Sequence, residues 1–196
     1  MRLEVRPLTR DRFPDLVELF SRPGASIPRS CWCMYYRKTG QGGGVGQAEA
    51  NRAAMRSLVE RGVVPGLIAY QGGRPVGWIS LGPREDYPRL RRSPVMKPVD
   101  GRPVWSIVCL FVDRAARGRG VAEALLRAAV RHARDGGATV LEAYPVDRPG
   151  PVHPDRLWFG TRSMYERAGF TEVARRKADR PVMRRRLRPS RTATTA

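Results

Sequence analysis

The residues best placed to do chemistry lie between Val108 and Ala122. They read Val108-Cys109-Leu110-Phe111-Val112-Asp113-Arg114-Ala115-Ala116-Arg117-Gly118-Arg119-Gly120-Val121-Ala122. An apolar run passes through a short turn, with two glycines and flanking arginines, into a helical pattern. That order makes an anion site. The first N–H groups of a helix have no internal partners, and the helix dipole adds partial positive charge there. Gly118 and Gly120 remove side chains that would hold a pyrophosphate off the backbone. Arg117 and Arg119 add formal charge beside it. A P-loop is excluded, because Gly120 is followed by Val121-Ala122 instead of Lys-Ser/Thr. A dinucleotide fingerprint would need a third glycine near Glu123. Glu142, at the end of the next strand, mimics that motif's acidic residue. The layout is wrong for it, since half the chain precedes the turn and only one strand–helix unit plus a hairpin follows.

A second constellation lies downstream, in Ser163-Met164-Tyr165-Glu166-Arg167-Ala168-Gly169-Phe170. Arg117-x-x-Gly120-x-Ala122 after an apolar strand resembles the coenzyme A signature of the GNAT superfamily of N-acetyltransferases. The second stretch resembles that family's short helix ending in Tyr-x-x-x-Gly-Phe. The two are correctly ordered and separated by a helix and a strand, and the resemblance spans residues 1–187. It implies an acetyl-CoA-dependent transfer of an acetyl group to an amine, by direct attack in a ternary complex. Main-chain groups of Leu110, Phe111 and Val112 would pair with the pantetheine arm. A backbone N–H near Leu110 would polarise the acetyl carbonyl. Amides of Arg117, Gly118, Arg119, Gly120, Val121 and Ala122 would hold the pyrophosphate. Tyr165 would lie near the sulfur and protonate the departing thiolate, a task that suits a phenol because it stays protonated at neutral pH. Packing of the helix onto the sheet is the plain structural alternative for Tyr165. This chain departs from the family pattern in three places. Arg114 stands where proline is common. Trp158-Phe159-Gly160-Thr161 stands where an asparagine often contacts the coenzyme. The loop from Pro145 to Phe159 is also long, enough to help cover an acceptor.

An amine nucleophile must lose a proton, so Glu85, Asp86, Glu142 and Asp147 are candidate bases, with Glu85 chosen first. In the family the loop between the first two helices borders the acceptor. Here it holds Trp32, Tyr35 and Tyr36, an aromatic wall for a cationic or planar acceptor, or else a plug that pins the loop. A small amine is expected, because the aromatic loop and the long later loop would narrow the pocket. A protein N-acetyltransferase and a catalytically idle acyl-CoA-binding module remain the alternatives. Cys31-x-Cys33 is too tight to chelate zinc alone and no histidine cluster supports it, so no metal is implied. Cys109 reads as a core side chain. His132 lies in a helix's last turn, where the dipole favours a partly positive imidazole. His153 sits between prolines.

These residues need elements to hold them. The chain has 196 residues, 41% hydrophobic, which is enough for one domain with its own core. Leu3, Val5 and Pro7 predict an edge strand. Phe13–Phe20, Gln47–Arg61, Gly120–Asp135 and Thr161–Ala168 predict helices. Val64–Tyr70 and Pro75–Leu81 predict a hairpin, Val104–Val112 a central strand, and Thr139–Tyr144 its neighbour. Phe170–Arg176 and Pro181–Leu187 predict a final hairpin. The fold class is α/β (α+β), with a mostly antiparallel, GNAT-like sheet of six or seven strands. About four helices flank it, and the sheet is splayed between the last two central strands. A single domain is expected over 1–187, with a basic, disordered tail over 188–196.

Charge is lopsided: 37 Lys+Arg against 18 Asp+Glu give +19. Only Lys38, Lys97 and Lys177 are lysine, so arginine supplies the other 34 basic residues. Such a surface attracts polyanions, a phosphorylated coenzyme among them. In Arg184-Arg185-Arg186-Leu187-Arg188 the arginines of a final strand should alternate toward water. No motif for specific nucleic-acid binding accompanies them. The chain shows no signal peptide, no apolar run long enough for a membrane span, and an odd number of cysteines. A reducing cytoplasm is therefore expected. A homodimer is left open.

Overall fold

The computed structural model describes residues 2–39, 47–150 and 157–188. His153 and the tail from 189 onward lie outside them. A single seven-stranded sheet organises the chain, in the order β1-β2-β3-β4-β5-β7-β6. The strands are β1 (Leu3–Pro7), β2 (Gly66–Gln71), β3 (Arg74–Pro83), β4 (Trp105–Val112), β5 (Val140–Ala143), β6 (Thr171–Lys177) and β7 (Arg180–Arg186). All neighbours are antiparallel except β4 and β5. That single parallel pair needs a crossover, and helix α5 (Val121–Asp135) supplies it.

The described residues form six α-helices: α1 (Phe13–Ser21), α2 (Ser26–Cys31), α3 (Ala48–Glu60), α4 (Pro88–Arg92), α5 and α6 (Arg162–Arg167). Four match the periodic segments. The other two, α2 and α4, are single turns in Pro-rich connections, too short to show an apolar period. Alternation along β2 assigns the two faces. Leu67 and Ala69 join Val121, Leu125 and Ala129 of α5. Ile68 and Tyr70 join Leu16 and Phe20 of α1, and Met55 of α3. A third cluster, with Tyr87, Val108, Tyr144, Phe159 and Val182, fills the space where β4 and β5 part.

That parting positions everything that follows. The strands pair only at Trp105–Leu141 and Ser106–Glu142. Beyond Ser106, β4 runs on to Val112 with β3 on one side and, among the described residues, no strand on the other. Against β3 it carries a bulge: Ser80 faces Cys109 and Leu81 faces Ile107, so Val108 is the extra residue. A bulge re-aims side chains.

Candidate active site

The open edge of β4 leads straight into the glycine turn. Gly118 and Gly120 both have positive φ, +73° and +76°, a backbone region that costs an L-residue about 1–2 kcal/mol. Gly120 is the residue before the first turn of α5. A Cβ at either position would meet nothing within 4 Å, so conformation, not crowding, demands glycine. Asp113 fixes the start of the turn. It accepts from Ala115 N–H and receives Arg22 Nη1 at 2.5 Å. Arg117 and Arg119 are exposed. Val121 is not: its side chain packs into the core, leaving only its amide for a ligand.

A groove of about 250 Å³ follows this edge. Leu110, Phe111, Val112, Arg117 and Ala122 line it, joined by Trp158 and Met164. Five residues singled out in the sequence therefore share one cleft with the turn. Two of its main-chain groups have internal partners. Leu110 N–H donates to Trp158 C=O at 2.5 Å, and Arg117 Nε donates to Val112 C=O at 3.3 Å. The Trp158 segment thus lies along β4 in the gap that β5 leaves.

Tyr165 is fully buried beside this segment, its ring 5.1 Å from that of Phe170. Its hydroxyl has no hydrogen-bond partner among the described residues. Burial pushes its pKa up. Leaving a buried hydroxyl unpaired costs about 1–3 kcal/mol, so this one needs a reason. Tyr165 does not line the groove; its neighbour Met164 does. What lies over both is Gly160, at φ +70°, where a Cβ would stand 2.3 Å from Met164 Cε and 3.3 Å from Tyr165 Cε2. The left-handed backbone demands glycine at 160, since Met164 Cε, the nearest atom, is the end of a flexible side chain that could move.

The aromatic loop divides. Trp32 and Cys33 take left-handed backbone, φ +48° and +54°, which a non-glycine residue holds only when packing insists. Packing does so here. Trp32 is buried, stacked on Phe13 at 6.1 Å and edge-on to Phe20 at 5.2 Å. It is a plug in the core and does not wall a pocket. Cys33 Sγ accepts from Trp78 Nε1 at 3.1 Å. After this reversal Tyr35 and Tyr36 turn outward and line a second cavity, of about 270 Å³, with Val108, Cys109 and Phe159. Ile27, Pro28 and Trp158 line both cavities, so the two are contiguous.

The candidate bases fall elsewhere. Glu85 is exposed in a short 3-10 turn and lines neither cavity. Asp86 pairs with Arg37 at 3.1 Å, and Asp147 with Arg175 at 2.7 Å and Arg162 at 3.0 Å. Glu142 is fully buried and bound on both sides: by Arg84, and by Arg184 Nε at 2.7 Å. Tyr144 donates to it at 2.7 Å, and the Tyr144 and Ser106 hydroxyls lie 3.0 Å apart. Arg184 therefore does not face water as the alternation predicted. The β5–β7 register sets it opposite Glu142, and it also binds Asp100 at 2.6 Å. His132 differs too: it packs against Trp105, and burial lowers its pKa where the helix dipole alone would raise it. Residues the sequence reading missed are Trp158, as a main-chain acceptor, and Ile27 with Pro28.

Comparison with known proteins follows the same geometry. The model of the acetyltransferase (GNAT) family matches residues 46–170. The chain belongs to that family. GNAT proteins are acyltransferases, and their donor is acetyl-CoA. Solved structures agree in fold. An N-acetyltransferase from Staphylococcus aureus Mu50 is 15% identical, with a TM-score of 0.55 over 96% of this chain and 100% of its own. A ribosomal-protein-alanine N-acetyltransferase from Brucella melitensis is 18% identical, with a TM-score of 0.55 over 94% and 99%. A structure described as histone acetyltransferase HPA2 and related acetyltransferase, from Corynebacterium glutamicum, is 21% identical, with a TM-score of 0.53 over 98% and 100%. No curated protein matches. Among the described residues no helix of this GNAT chain is long and apolar enough to cross a membrane.

Proposed function

We propose that this GNAT chain transfers an acetyl group from acetyl-CoA to the amine of a small molecule, by direct attack with donor and acceptor bound together. The observation that carries the reading is the splay of β4 from β5. It leaves an edge of main-chain groups running directly into a glycine turn and the N-terminus of a 15-residue helix. The unpartnered Tyr165 hydroxyl supports it, as a buried donor kept for a group not yet in place.

Acetyl-CoA would supply the activated thioester. The amides from Gly118 to Ala122 would hold its diphosphate, with Arg117 and Arg119 adding charge. Leu110, Phe111 and Val112 would offer main-chain groups to its arm. Leu110 N–H would polarise the acetyl oxygen once Trp158 C=O lets it go, and Arg117 would likewise release Val112 C=O. Tyr165 would give its proton to the leaving sulfur. It is suited to that and not to abstraction, because burial keeps the phenol protonated across the working pH range. Glu85 has no part in this scheme, since it reaches neither cavity.

Calorimetry with acetyl-CoA and a thiol-release assay with a panel of amines, read against a blank without acceptor, test the proposal. Micromolar association together with amine-dependent release is expected. No association at millimolar coenzyme would remove the reading. Association without release for any amine would return the chain to a binding module.

A further inference from the structure

We propose that the acceptor is an amine uncharged at neutral pH and carried on a flat apolar body, an arylamine in kind, held in the cavity between Tyr36, Phe159 and β4. This rests on the acetyltransferase reading above and narrows it. Along β4, Leu110 to Val112 line the groove while Val108 and Cys109 line the second cavity. The Val108 bulge turns these two consecutive residues to the same hollow. An acyl carbon polarised by Leu110 N–H would therefore sit at the boundary of the two spaces, and the attacking nitrogen would arrive from the second.

The second cavity's chemistry rejects an ammonium group. Its described walls are aliphatic, aromatic and thiol: Ile27, Cys31, Tyr36, Val108, Cys109 and Phe159 among them, with no carboxylate among the described residues. Burial pushes Cys31 up to about 11 and raises Tyr36, and the hydrogen bond with Cys33, together with burial, raises Cys109. Cys33 is drawn the other way by the Cys109 thiol and the Trp78 N–H, which already occupy its sulfur, and by the nearby Arg37 charge. The formal charges stacked on the aromatic walls are positive. The Arg89 guanidinium lies 4.4 Å from the centre of the Tyr35 ring, and that of Arg180 5.4 Å from Phe159. Two of the four rings on these walls, Tyr35 and Phe159, thus already carry one of the protein's own arginines. A cation entering here would lose water and meet no carboxylate among the described lining residues, beside rings that already carry the Arg89 and Arg180 guanidinium groups.

A neutral amine avoids these costs and needs no base to expose its lone pair. An alkylamine with a pKa near ~10.4 is neutral in only about one molecule in 2,500 at pH 7. In the step itself the amide C–N bond forms and the thioester C–S bond breaks. The nitrogen's proton leaves to water, and the departing sulfur takes the Tyr165 proton, which water restores.

The test uses the full chain with acetyl-CoA, following thiol release from pH 6 to 9 with two acceptors of matched size, aniline and cyclohexylamine. At pH 7 we expect kcat/KM for aniline to exceed that for cyclohexylamine by about 100-fold or more. The aniline rate should be flat with pH, while the cyclohexylamine rate climbs about tenfold per unit with its neutral fraction. Cys31→Asp, which puts a carboxylate on the wall, should shrink the gap at least tenfold. Should the aspartate variant not fold, the acceptor pair with the unaltered chain decides alone. Equal or greater activity on cyclohexylamine at pH 7 overturns the inference while leaving the acetyltransferase intact. So does a preference for hexanoyl-CoA over acetyl-CoA with aniline giving no advantage, which would assign the cavity to the acyl chain. Failure of acetyl-CoA to associate at all would instead remove the parent reading, and this one with it.

Discussion

Strands β4 and β5 meet at one end and part at the other, and the two ends are built from opposite materials. At the closed end, Glu142 is clasped by Arg84, Arg184 and Tyr144, with Ser106 behind Tyr144 and Asp100 outside Arg184. At the open end one main-chain bond among the described residues, Leu110 N–H to Trp158 C=O, spans the gap. The closed end spends buried charge to hold two strands in register. The open end leaves main-chain groups that one loop satisfies and another occupant could. A stiff hinge beside a yielding gap is a sound design for gripping an extended ligand. Side-chain ion pairs resist being pulled apart in low dielectric, whereas one exchangeable hydrogen bond is worth only about 1 kcal/mol.

The comparison can be broken most directly at its charged end. Glu142→Ala leaves the buried Arg84 without its carboxylate and Arg184 with Asp100 alone. It should cost about 3–5 kcal/mol in urea unfolding, the range for half-removed buried pairs. A loss under 1 kcal/mol would mean the cluster is wetter than its burial says. At the open end, Tyr165→Phe should lower kcat by about 10²–10⁴-fold while leaving the affinity for coenzyme within a factor of two. The same change should not destabilise the fold and should raise stability by about 1 kcal/mol, because it removes an unpaired buried hydroxyl. Unchanged turnover would reduce Tyr165 to packing. Gly120→Ala forces an L-residue into left-handed backbone and should cost about 1–2 kcal/mol, with weaker coenzyme binding seen by calorimetry.

The smallest effect concerns acid. Arg184 holds the Asp100 carboxyl down at about 2, against an ordinary 3.8. A depressed carboxyl stabilises the fold above its unfolded pKa, and that contribution is lost as pH falls through the folded value. The melting temperature of the native chain should therefore drop between pH 4 and 2, and Asp100→Asn should flatten that limb. An identical acid limb in the variant would detach Asp100 from the cluster.

Legibility followed the same divide. The open end was readable because its signals are local. Apolar run, glycine turn and helix are contiguous in sequence, and left-handed backbone writes itself as glycine at 118 and 120. The closed end was hidden, because Arg184 looks like one exposed arginine among several until β7 lies beside Glu142. Trp32 shared that difficulty. An aromatic in a Gly/Pro-rich loop reads equally as wall or plug, and only Phe13 and Phe20 decide for plug. Trp158 was invisible as a main-chain acceptor, since a carbonyl carries no residue identity.

The sequence by itself determined the element order, the glycine turn before α5 and the family, because periodicity, helix stops and short motifs are properties of neighbours along the chain. Tertiary structure alone decided which arginines are buried, which aromatics face a cavity, and what lies along β4 in the gap left by β5. Those outcomes depend on partners brought together from distant segments by a splayed sheet, where solvent exclusion, not local propensity, sets the energy.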